Sequence, residues 1–319
     1  MKIVNLDAYT VNPGDLSWDW VSKYGEFEYY ENTSPNEIVS RAKDADILFI
    51  NKTPVDAKTL KQLPKLKYVG LQSTGFNVID CQAAKQLGIT ITNIPEYSTN
   101  AVAQHTFALI LELTNHVGLH NKSVHDGEWS ECPHFCYWKA PLTELQSKTI
   151  GIIGYGKIGY AVAKIAQAFD MKILAFSPTP KEKRDISNIQ FTDIDTILKE
   201  SDIVTLHCPL NKSTENLIDE EALKKMKRNA IIINTSRGPV IDEKALSDAL
   251  SKNLIAGAAL DVLVDEPCRE DNPLTKLENC IITPHIAWAG LETRSRLMEI
   301  LEKNLTAFLS GNPINVVNK

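Results

Sequence analysis

A chain of 319 residues with 43% hydrophobic and 23% charged side chains has an ordinary globular composition, and its length suggests about two domains. The net charge of −6 provides no basic excess to neutralise phosphates, which argues against nucleic acid as a partner. No apolar run approaches the roughly 20 residues that span a bilayer, and the amino terminus reaches charge too early for a secretion signal, so no membrane partner and a cytoplasmic setting are expected.

The first hundred residues alternate short apolar runs with polar, lysine-rich stretches. Lys2–Leu6, Asp46–Ile50, Leu66–Leu71 and Ile89–Ile94 read as buried strands, and Pro35–Lys43 reads as one of the helices between them. Such alternation indicates a parallel sheet covered on both faces. A long helix, apolar nearly all round, is expected from Asn100 to about His120, followed by a loop rich in aromatics and cysteine from Asp126 to Pro141.

A second alternation starts with a strand at Thr149–Ile153, a helix at Ile158–Phe169 and a strand at Met171–Phe176. Further strands are expected at Asp202–His207, Ala230–Asn234, Ile255–Asp261 and Cys280–Thr283. Helices at Asp219–Met226 and Asp242–Lys252 each open with acidic residues that suit a positive helix start. The last helix, about Glu292 to Leu309, sets Leu297, Leu301, Leu305 and Phe308 on one stripe, and Gly311 and Pro313 stop it.

The six cysteines, at 81, 132, 136, 208, 268 and 280, contain no Cys-x-x-Cys pair. Cys132, His134 and Cys136 lack a fourth ligand at any standard spacing, so reduced thiols and no metal are expected.

Between the strand at 149–153 and its following helix lies Gly154-Tyr155-Gly156-Lys157-Ile158-Gly159. Alone, Gly-x-Gly-x-x-Gly is weak; between strand and helix it is the dinucleotide turn. Gly154 would make the turn, Gly156 would admit a pyrophosphate, and Gly159 would let helix and strand pack closely. The N–H groups near Lys157 and Ile158 would then meet the phosphates. The acid that usually binds the ribose about 20 residues on is replaced by Ser177, followed by Pro178 and then Lys181, Lys183 and Arg184. Either NAD(H) or NADP(H) is therefore admissible.

Three segments place polar residues directly after expected strands: Asn234-Thr235-Ser236-Arg237-Gly238, Asp261 to Pro267, and Thr283-Pro284-His285-Ile286-Ala287-Trp288. Strand carboxyl ends converge on the ligand crevice of a doubly wound sheet, so Arg237, Glu266 and His285 would meet there. Histidine suits proton delivery to a carbonyl oxygen near neutral pH. Glu266 would fix its tautomer, and Arg237 offers a planar fork for a carboxylate.

With Gln72-Ser73-Thr74-Gly75, His207-Cys208-Pro209-Leu210 and Gly127-Glu128-Trp129, these motifs cover essentially the whole chain. It resembles the D-isomer-specific 2-hydroxyacid dehydrogenases, most closely their glycerate dehydrogenase (hydroxypyruvate reductase) branch. The resemblance implies an α/β fold: a Rossmann-type doubly wound parallel-sheet cofactor domain at 101–285, and a flavodoxin-like substrate domain assembled from 1–100 and 286–319. It implies Arg237, Glu266 and His285 as the catalytic set. The Ser73, Thr74 and Gly75 backbone would hold the substrate carboxylate, with Lys52 near a substrate-contacting position. Asp261 would bind the nicotinamide carboxamide, His207, Cys208 and Pro209 would cover the adenosine, and Thr106, Ser177 and Ser236 would line the cofactor site. A small 2-oxo or 2-hydroxy acid is the implied ligand and a homodimer the implied assembly. Gln104 departs from the glutamate often found there.

Two alternatives share this architecture. Formate dehydrogenases need no catalytic proton and pair their histidine with glutamine, so Glu266 disfavours them. A nicotinamide-sensing, corepressor-like binding protein could retain the triad without turnover.

Overall fold

The computed structural model describes residues 1–179 and 186–319. Lys181, Lys183 and Arg184, the expected cation cluster, lie outside the described residues. The chain forms two compact units: Met1–Tyr97 with Ala289–Lys319, and Ser98–Trp288.

The first unit contains five strands: β1 (Lys2–Asn5), β2 (Glu26–Tyr29), β3 (Ile47–Ile50), β4 (Tyr68–Leu71) and β5 (Thr90–Thr92). All pair in parallel, in the order β2-β1-β3-β4-β5. This is the flavodoxin-like order, in which ligands collect beyond the strands' carboxyl ends. Every residue of β3 and β4 is buried, as befits central strands covered on both faces. The apolar stripe expected near the carboxyl terminus lies on the helix Leu291–Leu309, where Leu297, Leu301 and Leu305 are fully buried and Phe308 meets the Tyr68 ring at 4.7 Å.

The second unit contains β6 (Thr149–Ile153), β7 (Lys172–Phe176), β8 (Ile189–Phe191), β9 (Ile203–Leu206), β10 (Ile231–Asn234), β11 (Gly257–Leu260) and β12 (Cys280–Ile282). Their order is β12-β11-β10-β9-β6-β7-β8, again wholly parallel. Counted from β6, this is the Rossmann order 3-2-1-4-5-6 with a seventh strand added. Alternating side chains feed two cores. Ile153, Leu174, Val204 and Ile232 face one; Ile152, Ile173, Ile203 and Ile231 face the other.

Three features differ from the sequence reading. The long helix is Thr99–Asn115, not a continuous run to His120. His116 enters the left-handed region (φ 49°), and a second helix, Val117–His125, follows. Glu112 enforces the break by accepting the Gly118 N–H at 3.1 Å. Nor is the first helix buried all round, since Gln104 and Ala108 are exposed. Strands β2 and β8 were not expected; both are short edge strands whose polar alternation dilutes the apolar signal. The helix Ile194–Glu200, capped by Asp193, was also missed.

Candidate active site

Strand order in the second unit reverses between β6 and β9, and the loops after these two strands touch. Gly154, with φ +103°, makes the turn after β6. A Cβ there would stand 2.5 Å from the His207 carbonyl carbon and 2.6 Å from the Cys208 nitrogen, so only glycine allows this approach. The N–H groups of Gly154 and Tyr155 are tied to the Phe176 carbonyl at the end of β7. Ser177 follows directly, where a ribose would be read. At Gly159 a Cβ would meet the Gly154 oxygen at 2.3 Å, which is the expected close packing.

Gly156 behaves differently. It precedes the helix Lys157–Ala168 without any side-chain cap, and a Cβ built on it meets nothing within 4 Å. An uncapped helix start beside open space at the reversal point fits a pyrophosphate, with the N–H groups of the first turn as donors. The residues present thus fit a dinucleotide.

The His207 ring is shielded from solvent, with Nε2 3.1 Å from the Thr205 hydroxyl and Nδ1 without a hydrogen-bond partner among the described residues. Burial pushes its pKa down to about 4, so the ring is neutral at pH 7. Burial also pushes the Cys208 thiol up, leaving it protonated, while Pro209 is exposed. Thr106 is fully buried; its hydroxyl donates to Val102 O at 2.8 Å and lies 3.2 Å from the Thr235 hydroxyl.

The loops after β10, β11 and β12 carry Arg237, Glu266 and His285. After β10, buried Asn234 accepts from the N–H and hydroxyl of Ser236 (3.0 and 2.8 Å) and donates to the Arg237 carbonyl (2.9 Å). This clamp presents exposed Arg237, whose guanidinium donates to Ser236 O at 2.7 Å. Gly238 lets the loop lie against the next one, since a Cβ would come within 2.0 Å of the Leu263 carbonyl. In that second loop Glu266 accepts the Leu263 N–H at 3.2 Å through one oxygen. Its other oxygen lies 2.7 Å from His285 Nδ1. The structure thus brings Glu266 and His285 into direct contact and sets Arg237 on the adjoining loop.

His285 sits in the left-handed region (φ 54°), with its N–H on Thr283 O at 2.9 Å. A non-glycine residue there costs about 1–3 kcal/mol and persists only when its surroundings hold it. Asp261 supplies the hold. It is 1% exposed and accepts the Thr283 hydroxyl (2.6 Å) and the N–H groups of Ile286 (2.9 Å) and Ala287 (2.8 Å). His105 Nε2 stands 3.4 Å away. Burial raises the Asp261 pKa, but hydrogen bonds from His105, Thr283, Ala287 and Ile286 outweigh it and keep the carboxyl below the usual range. Asp261, expected to bind the nicotinamide carboxamide, also accepts hydrogen bonds from the loop that carries His285. Sequence reasoning missed this role, and that of Asn234; both sit at the ends of buried strands, which was the available signal.

In the first unit, Ser73, Thr74 and Gly75 follow β4. Their three carbonyls are engaged by Ile94 N–H (2.9 Å), the Asn93 carboxamide (2.7 Å) and the Ser73 hydroxyl (2.7 Å). Among the described residues none of their three N–H groups donates a hydrogen bond. A loop held by its carbonyls, with N–H groups that donate to no described residue, has donors to offer an anion. Lys52 is exposed on the loop after β3.

Residues 107–287, more than half of the chain, match the family model described as D-isomer specific 2-hydroxyacid dehydrogenase, NAD binding domain. The chain belongs to this family. It is an NAD(P)-dependent oxidoreductase of 2-oxo and D-2-hydroxy acids, as its motifs led one to expect. A hydroxypyruvate reductase of Blautia hydrogenotrophica is 48% identical over 322 aligned positions covering 100% of both chains. A glycerate dehydrogenase of Methylorubrum extorquens is 42% identical, covering 99% of this chain and 98% of that one. The solved structure of an acyclic imino acid reductase in complex with NADPH and D-Arg aligns with a TM-score of 0.85 at 36% identity, covering 99% of this chain and 100% of that one. These relatives favour neither the formate dehydrogenase nor the nicotinamide-sensing alternative. Among the described residues there is no cluster of three potential metal ligands and no helix long and apolar enough to cross a membrane.

Proposed function

We propose that this dehydrogenase reduces hydroxypyruvate, with glyoxylate as a second substrate, to D-glycerate and glycolate. The single observation that carries the chemistry is the 2.7 Å contact between His285 Nδ1 and Glu266. It assigns Nδ1–H to the carboxylate and leaves Nε2 as the atom that gives its proton to the substrate carbonyl oxygen. Arg237 polarises that carbonyl, and the N–H groups of Ser73, Thr74 and Gly75, with Lys52, receive the substrate carboxylate. A bound NAD(P)H supplies the hydride. Gly154, Gly156, Lys157, Ile158 and Gly159 hold the pyrophosphate, Ser177 the ribose, and the His207–Pro209 backbone the adenosine. Thr106, Ser236 and Asp261 support the nicotinamide end.

On this reading the first unit is the substrate domain and the second the dinucleotide domain. Ser177 carries no charge to repel a 2′-phosphate, so both cofactors are accepted. A substrate panel tests the proposal: hydroxypyruvate and glyoxylate should be reduced faster than pyruvate with NADH or NADPH. Formate as the only active substrate would overturn it.

The protein works as a cytoplasmic homodimer. Support comes from the segment 117–142, which exposes Val117 (62%), Trp129 (51%), Phe135 (91%), Trp138 (67%) and Leu142 (55%). Apolar exposure this concentrated marks an interaction surface. Light scattering should give twice the 35.5 kDa chain mass, and a monomer at micromolar concentration would contradict the assembly.

A further inference from the structure

Buried polar residues in the first unit gather at the carboxyl ends of β1, β3 and β4, just below the loops assigned to the substrate. Asn5 and Gln72 are fully buried; Asp7, Asn51 and Thr53 are 5%, 4% and 4% exposed. Asp7 is the hub. One carboxylate oxygen accepts the Asn51 N–H at 2.7 Å. The other accepts the N–H groups of Lys52 (2.5 Å) and Thr53 (2.7 Å) and the Thr53 hydroxyl (2.9 Å). Three consecutive backbone N–H groups and a hydroxyl thus close around one buried carboxylate. Its ionised form is the one that can accept all four.

The hub extends to the neighbouring loop. Asn5 accepts the Asp7 N–H at 3.2 Å and exchanges carboxamide hydrogen bonds with Gln72 at 3.0 and 3.4 Å. Gln72 immediately precedes Ser73, and its N–H is fixed to Ile50 O at 2.8 Å. One polar network therefore sets the loop 51–53 against the loop 73–75, and every hydrogen bond in it lies within this unit. The carboxylate satisfies three N–H groups that apolar packing would leave unpaired, at the cost of keeping a polar group out of water. The carboxylate draws in the N–H groups of one loop, while those of the next donate no hydrogen bond among the described residues. It also occupies donors that would otherwise compete for an incoming carboxylate.

We propose that Asp7 is a positioning residue for substrate binding: with Asn5 and Gln72 it fixes the Lys52 loop and the Ser73–Gly75 loop in register to receive the substrate carboxylate. The proposal rests on the function proposed above, so the parent enzyme must first reduce hydroxypyruvate. Without that turnover the functional reading fails, irrespective of Asp7.

In Asp7→Asn one oxygen becomes an NH2 group that faces donors instead of accepting from them. KM for hydroxypyruvate should rise roughly 5- to 50-fold. The inhibition constant of oxalate, an unreactive dicarboxylate, should rise in parallel. Saturated kcat should stay within about threefold, and the NADH dissociation constant should be unchanged. Thr53→Val, which removes only the hydroxyl donor, keeps the test available if Asp7→Asn does not fold; its KM should rise roughly 2- to 5-fold with kcat retained. Asp7→Asn with parental KM and oxalate affinity overturns the proposal. So does loss of kcat at unchanged KM, or a uniform loss of active enzyme in both variants, which would mark the network as structural only.

Discussion

Two alanine substitutions, two residues apart in the dinucleotide turn, should fail in different ways. Gly154 holds φ +103°, and a Cβ there would lie 2.5–2.7 Å from the His207–Cys208 backbone. Holding alanine in that conformation costs about 1–3 kcal/mol. Pushing the turn away from the β9 loop adds about 1–3 kcal/mol of overpacking. Gly154→Ala should therefore lose about 2–6 kcal/mol and melt several degrees lower. Gly156 has φ −87° and ψ −154°, which alanine accepts, and no protein atom within 4 Å of the added Cβ. Its stability should change by less than about 1 kcal/mol. The methyl group instead enters the space assigned to the pyrophosphate. A clash of about 1–3 kcal/mol there weakens NADH binding about 5- to 150-fold. Calorimetry reads the first effect and NADH fluorescence titration the second. Parental NADH affinity in Gly156→Ala would refute the pyrophosphate assignment, and parental melting in Gly154→Ala would refute the role given to the close approach.

Two further expectations concern the buried ionisable groups. Asp261→Asn replaces an acceptor with a donor among the N–H and O–H groups that hold the His285 loop, so kcat should fall on the order of 10- to 100-fold through misplacement of the proton donor; an unchanged kcat would remove Asp261 from that role. His207 has a folded-state pKa near 4 against an ordinary value of 6.5, so its contribution is fully present above pH 6.5 and is lost as pH falls toward 4. Lowering the pH from 6.5 to 5 should cost about 1.5 kcal/mol from this group. Chemical denaturation at stepped pH should show that slope in the parent and a flatter one in His207→Gln; equal slopes would contradict it.

Long apolar strands were legible in the sequence because burial on both faces leaves continuous hydrophobic runs, as in Ile47–Ile50 and Ile231–Asn234. The glycine turn was legible because its spacing is meaningful only between a strand and a helix. Edge strands such as Glu26–Tyr29 were not, since their pattern is set by one neighbour and by solvent. The break at His116 was hidden because a left-handed residue other than glycine carries no strong local signal, and its cause is a side chain four residues back. The pairing of Glu266 with His285 followed from topology, because both stand just beyond parallel strand ends. The carboxylates beneath the loops were harder to read. Asp7 and Asp261 look like ordinary strand-end acids until their N–H partners, 25 to 46 residues away in the chain, are seen.

The most direct test is His285→Ala assayed in parallel for turnover and cofactor binding. With saturating hydroxypyruvate and NADH, kcat should fall roughly 10²–10⁴-fold because the proton donor is gone. The NADH dissociation constant of the same preparation should stay within about twofold of the parent, since among the described residues no hydrogen bond ties the His285 ring to the dinucleotide turn. A variant that binds NADH normally and still turns over near the parental rate would contradict proton transfer from the Glu266–His285 pair.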